Sequence, residues 1–188
     1  MTIQIPTIET SRLILRKLRW EDLPLYYSRL WSREPLSRYM LWNPHKSMEE
    51  SAASIEKALA RYEEGTSCRW AIALKESDEL IGIIDLLRFG EDAKSCSFAY
   101  MLGEDFWGKG YGTEAVKAAF AYAFDVLGIE VINADHFSEN PASGAVMRNA
   151  GMVWQRSIPQ RYEKNGRKYD AEEYRITKAQ WKGKQDSR

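Results

Sequence analysis

Three glycines alternate with larger residues in Phe106-Trp107-Gly108-Lys109-Gly110-Tyr111-Gly112-Thr113-Glu114, immediately before a helix signal. Val116, Ala119, Phe120, Ala123 and Leu127 recur every three or four positions, and Gly128 stands where a C-terminal cap belongs. A glycine turn opening a helix leaves consecutive backbone N–H groups without partners, at the positive end of the helix dipole. That combination suits an anion, phosphate or pyrophosphate above all. It also suits a plain structural turn. A P-loop would need its lysine after the last glycine, but Lys109 lies between glycines. The dinucleotide fingerprint would need G-x-G-x-x-G, but the spacing here is G-x-G-x-G.

Other residues able to do chemistry are few. Asp85 interrupts the apolar run Ile81–Leu87, where a carboxylate is either a base in a buried setting or a solvent-facing strand residue. There are two histidines, His45 and His136, and two cysteines, Cys68 and Cys96. The cysteines lie far apart in candidate strands, which fits buried free thiols in a cytoplasmic protein.

The elements that must position these groups can be read in order. The 188 residues suffice for one domain, with a core over about 10–177 and a disordered tail over 182–188. Arg12–Leu18 alternates as a strand. Glu21 and Asp22 open a helix carrying Leu23, Tyr26, Leu30 and Trp31. Pro35–Pro44 is broken by prolines and rich in aromatics. Ser47 and Glu50 form a capping-box pair ahead of a helix that ends at Gly65. Cys68–Leu74, Leu80–Arg88 and Ser95–Leu102 read as three strands in an antiparallel meander. After the glycine turn and its helix come a strand at Val131–His136 and a helix at Ala142–Asn149. Strands at Val153–Gln160 and Asp170–Ile176 follow, with Asn165-Gly166 as a hairpin turn. The fold class is therefore α+β. Lys+Arg and Asp+Glu both number 27, so no basic field invites nucleic acid. No run reaches the roughly 18 apolar residues of a membrane span, and Met1–Thr10 lacks the features of a signal peptide.

The glycine stretch resembles motif A of the GCN5-related N-acetyltransferases, Gln/Arg-x-x-Gly-x-Gly/Ala, with Trp107 at the first place and Gly110 and Gly112 at the small positions. Trp-Gly-Lys-Gly-Tyr-Gly-Thr-Glu-Ala is similar to the form used by the RimJ/RimL-type branch. Thr10-Ser11-Arg12-Leu13-Ile14-Leu15-Arg16, Leu80-Ile81-Gly82, Asn140-Pro141-Ala142-Ser143 and Asn149-Ala150-Gly151-Met152 resemble further family segments, in the right order. The resemblance implies a mixed, mostly antiparallel sheet splayed between its fourth and fifth strands. It implies acetyl-CoA in that splay, bonded to the backbone of Tyr100, Met101 and Leu102. The pyrophosphate would lie on Trp107, Gly108, Lys109, Gly110, Tyr111, Gly112 and Thr113, with the Trp107 backbone N–H among the donors. Asn140 and Ser143 would contact the cofactor, and Arg148 would lie near its far end.

The implied reaction moves an acetyl group from a thioester to an amine, either a protein N-terminal α-amine or a small molecule. The amine must be neutral to attack. A lysine amine titrates near ~10.4 and an α-amine near ~8, so a base is needed. Ser143 stands where this branch places the donor to the leaving sulfur, and Met147 where other branches place a tyrosine acid. Cys96 occupies the site of a glutamate used by some relatives. Asp135, five residues before Asn140, is the alternative base beside Asp85; His136 should face the other side of that strand. Trp31, Tyr39, Met40, Trp42 and His45 would line the substrate side or pack in the core. The enzyme would act as a monomer or homodimer without a metal. The rival reading is a non-catalytic acyl-CoA-binding sensor.

Overall fold

The computed structural model describes residues 5–185. Eight strands form one sheet in the order β1-β2-β3-β4-β5-β6-β8-β7. These are β1 Ile8–Glu9, β2 Leu13–Arg16, β3 Cys68–Leu74, β4 Leu80–Leu87, β5 Ser95–Leu102, β6 Val131–Phe137, β7 Val153–Lys164 and β8 Arg167–Thr177. The helices are α1 Leu23–Leu25, which runs on as a π-helical turn Tyr26–Trp31, α2 Glu34–Ser37, α3 Met48–Glu63, α4 Tyr111–Ala121, α5 Pro141–Asn149 and α6 Lys178–Gln185.

The expected meander is present: β3, β4 and β5 pair antiparallel. The crossover through α4 then brings β6 alongside β5 in parallel. Four expectations need correction. The two-residue β1 is too short to leave a periodic signal, and β7 runs four residues past Gln160. The region expected to be disordered begins with a helix. Residues 182–185 belong to α6, anchored by Trp181 against Phe120 and Phe124 at 6.2 and 5.9 Å between rings; residues 186–188 lie outside the described residues. The Ser47–Glu50 capping box is not formed, because the Glu50 carboxylate accepts from the Lys46 N–H instead, at 3.1 Å.

The two faces of the sheet are set by strand alternation. Trp70 on β3 meets Tyr122, just past α4, at 5.3 Å, and the register carries that face through Ile84 to Tyr100. Arg69, Asp85 and Ala99 share the opposite face, beneath the α1–α3 segment, where Tyr26 and Tyr62 lie. Leu13, Leu15, Trp70, Ile72, Leu80, Ile81, Phe120 and Phe124 are fully buried and make up much of the core.

Candidate active site

β5 and β6 pair only at Ser95–Val131, Cys96–Ile132 and Ser97–Asn133. Beyond Ser97 and Asn133 the strands part, which leaves a V-shaped gap and an unpaired edge on β5. A cavity of about 590 Å³ is lined by the β5 residues Tyr100, Met101 and Leu102 in this gap. The glycine turn, through Gly108, Gly110, Gly112 and Thr113, and the start of α5, through Asn140, Pro141, Ala142 and Ser143, wall one end. Pro35, Leu36, Tyr39 and Met40 wall the other.

The glycine turn is shaped for close approach. Gly110 caps α4 in the left-handed region, φ +82°, where other residues are strained. The first helical hydrogen bond runs from the Glu114 N–H to the Gly110 carbonyl, 3.1 Å, so the N–H groups before it have no helical acceptor. Gly112 serves packing: a Cβ there would meet Leu102 Cδ1 at 3.2 Å and the Tyr100 ring at 3.3 Å. The helix start therefore lies directly on β5. Trp107 departs from expectation. Its backbone N–H donates to the Glu104 carbonyl at 3.1 Å and is not free for a phosphate. Its indole N–H instead donates to the Leu102 carbonyl at 2.7 Å, tying the turn to the end of β5.

A second tie comes from far away in sequence. The Glu114 carboxylate accepts from the Thr10 hydroxyl (2.6 Å), the Ser11 hydroxyl (3.0 Å), the Arg12 backbone N–H (2.9 Å) and Arg12 Nε (2.7 Å). Arg12 also donates to the Lys109 carbonyl at 2.9 Å and lies over the Tyr111 ring at 4.4 Å. Burial alone would raise the Glu114 carboxyl, but hydrogen bonds from Thr10, Arg12 and Ser11 outweigh it and its pKa is lowered. A carboxyl lowered in the folded state stabilises fully above its unfolded value, near ~4.3, and that contribution is lost as pH falls through the folded value. Glu114→Gln should therefore cost about 1–2 kcal/mol at neutral pH, roughly 3–6 °C in Tm. The gap from wild type should close in acid, as thermal melts across pH would show. A gap independent of pH would remove the clamp role.

The start of α5 is capped by Asn140, whose side-chain carbonyl accepts from the Ser143 N–H at 3.3 Å. Ser143 neighbours Tyr100. Burial pushes the Tyr100 phenol up to about 12, and the Ser143 hydroxyl works in the other direction. Cys96 is buried and its thiol is pushed up to about 12 by burial, so it stays protonated.

The sequence-level candidates separate in space. Asp85 does not line the cavity. Both its oxygens accept from Arg69, at 2.8 Å (Nε) and 3.0 Å (Nη2), a bidentate pair away from the cavity. Asp135 lies two residues past the last β5–β6 pair, in the gap, and its carboxylate accepts from the Tyr162 hydroxyl, with Arg161 Nε 3.6 Å away. It is not among the residues that line the cavity. His136 faces the other way, as alternation demands. It is buried, its Nδ1 lies 2.8 Å from the Phe137 carbonyl, and its Nε2 packs against Gly144 of α5. Trp31, Trp42 and His45 also lie outside the lining. Trp31 packs against a tilted Trp42 at 4.5 Å and stacks on His45 at 4.7 Å, and His45 Nδ1 is 2.8 Å from the Ser51 hydroxyl. Burial lowers the His45 pKa. Tyr39 and Met40 do line the cavity.

Two lining residues carry no sequence signal of their own: Glu139 and Val146. Among the described residues, Glu139 is the only charged side chain in the lining, and Arg167 binds it at 2.6 Å. Lys109 and Arg148 are exposed. Arg148 donates to the Tyr174 hydroxyl at 2.8 Å. Among the described residues, no helix is long and apolar enough to cross a membrane.

The model of the acetyltransferase (GNAT) domain matches residues 12–153. An uncharacterized N-acetyltransferase of Bacillus subtilis, YoaA, is 28% identical over 173 residues, which is 92% of this chain and 97% of that protein. A solved RimL, a ribosomal L7/L12 alpha-N-protein acetyltransferase in complex with coenzyme A, shares the fold at TM-score 0.80 and 21% identity, over 92% of this chain and 98% of its own. So does spermidine N-acetyltransferase from Vibrio cholerae in complex with CoA and spermine, at TM-score 0.78 and 22% identity, over 92% and 99%. The parted strands and the glycine-opened α4 thus have a shared explanation: the chain belongs to the acetyltransferase (GNAT) domain family and is an acetyl-CoA-dependent N-acetyltransferase.

Proposed function

We propose that the chain works as one domain that transfers acetyl directly to a primary amine held in the far end of the cavity. The observation that carries this reading is a cavity in the β5–β6 gap that is lined both by the glycine-opened start of α4 and by the Pro35–Met40 wall. The near end fits acetyl-CoA. The left-handed Gly110 opens α4 with N–H groups that have no helical acceptor, and Met101, Leu102 and Val146 offer an apolar slot for a chain of carbons. When bound, acetyl-CoA supplies a thioester, whose C–S bond breaks as the amine forms its C–N bond.

The residues divide the work. N–H groups of the α4 start hold phosphate oxygens. The unpaired edge of β5 offers backbone groups to the carbonyl end. Ser143, placed by the Asn140 cap beside Tyr100, donates a hydrogen bond toward the departing sulfur. Asp135 is the base, acting through solvent because it lies outside the cavity lining. Burial raises the Tyr162 phenol pKa and the Asp135 hydrogen bond adds to it, so Tyr162 remains the donor and keeps the carboxylate oriented. A second reading of the base rests on Glu139, the one carboxylate in the lining.

The direct test is thiol release from acetyl-CoA with a panel of peptides and small amines. Release separates the enzyme from a sensor, which would bind without turnover. In the same assay Ser143→Ala should lower kcat about tenfold while leaving the acetyl-CoA Kd within about twofold. Unchanged kinetics would reduce Ser143 to a helix-start residue.

A further inference from the structure

We infer that the preferred acceptor is a primary amine with a single positive charge on an apolar or aromatic arm, and that linear polyamines are poor acceptors. This rests on the acetyltransfer reading above. The cavity crosses the sheet. α5 lies on the His136 side of β6, because Gly144 packs against that ring. The other end lies on the Asp135 side, where Tyr39 meets Phe137 at 6.4 Å and Tyr162 stacks on Phe137 at 4.7 Å. Its immediate wall is Pro35, Leu36, Tyr39 and Met40.

That wall is built and held. Lys164 Nζ donates to the Ser37 carbonyl at 2.5 Å, and the amide of Asn165 bonds that of Asn43 at 3.3–3.4 Å. The β7–β8 hairpin is thereby strapped onto α2. The one acid in the lining, Glu139, is paired with Arg167, and Asp135 and Asp85 nearby are paired with Tyr162 and Arg161 and with Arg69; Glu34 of α2 acts on Lys164 and is not part of the lining. An extended acceptor with two or three ammonium groups would bring several charges against Leu36, Tyr39 and Met40 with no unpaired carboxylate in the lining to receive them. A monoamine faces no such penalty. Its one ammonium must lose a proton before attack, and an apolar setting favours that neutral form. Its arm gains by leaving water. Two sources offer this chemistry: a small arylalkylamine, or a peptide that begins with a large apolar residue. The spermine-bound neighbour shares the fold, so the lining and not the architecture carries the distinction.

Calorimetric titration of the full chain saturated with CoA tests the inference, using phenethylamine, a short peptide amide beginning with Phe, and spermidine. Phenethylamine or the peptide should bind at least about tenfold tighter than spermidine, and the tighter of the two names the source. Met40→Asp should weaken the apolar acceptor and strengthen spermidine, narrowing that ratio at least about fivefold, with CoA affinity within error of wild type. Spermidine binding as tight as both apolar acceptors overturns the inference, as does failure of both to bind. CoA binding, measured first, keeps the two levels apart. If CoA itself does not bind, the acetyltransfer reading falls and the inference with it; if CoA binds and spermidine wins, only the inference falls.

Discussion

Gly112→Asp should lower acetyl-CoA affinity by at least about 100-fold, roughly 2.7 kcal/mol, in a calorimetric titration. Two effects act together. A Cβ at this position already meets Leu102 Cδ1 at 3.2 Å and the Tyr100 ring at 3.3 Å, so a longer side chain must push the start of α4 away from β5. The carboxylate also brings negative charge to N–H groups that are to hold phosphate oxygens, and it competes for them directly. Gly112→Ala separates the two. It adds the contact without the charge, and neighbours that yield by a few tenths of an ångström leave most of the binding intact. If Gly112→Asp binds acetyl-CoA like wild type, the glycine turn is a structural turn and the phosphate assignment is wrong.

The paired carboxylate variants should behave in opposite ways. Asp135→Asn should reduce kcat/KM about 100-fold in the thiol-release assay while leaving Tm and the acetyl-CoA Kd near wild type. Asp85→Asn should do the reverse. It loosens a bidentate partner of Arg69 on a mostly buried strand face, at a cost of roughly 2–3 kcal/mol of stability, with kcat little changed. Tyr162→Phe should lose a smaller part of the Asp135 effect, since it removes the hydrogen bond that orients the carboxylate and not the carboxylate itself. Glu139→Gln decides between the two candidate bases. A loss of activity larger than that of Asp135→Asn moves the role to the lining residue. Equal activity of Asp135→Asn and wild type removes Asp135 from the mechanism.

The sequence by itself determined what depends on neighbours along the chain. The three-and-four periodicity after Gly112 specified α4, the alternating and apolar runs specified β3 to β6, and Asn165-Gly166 specified the last hairpin. The glycine turn could be read because its shape rests on local backbone geometry, with Gly110 left-handed at the helix cap. Asn140 was legible as a cap for the same reason. What the tertiary structure alone decided is which distant groups meet. Asp85 and Asp135 look alike in sequence, each a carboxylate in an apolar strand. One lies opposite Arg69 and is neutralised, while the other stands where β6 leaves β5, beside a tyrosine 27 positions away. Arg12 and Glu114 were each part of a recognisable segment, yet their pairing across 102 positions follows only from packing β2 near the start of α4. Trp31, Trp42 and His45 were aromatic enough to wall a site, and folding turned them toward one another instead. Periodicity records whether a side chain faces inward. It cannot record which of several inward places the chain will bring it to, because that is set by the register of strands and the parting of two of them.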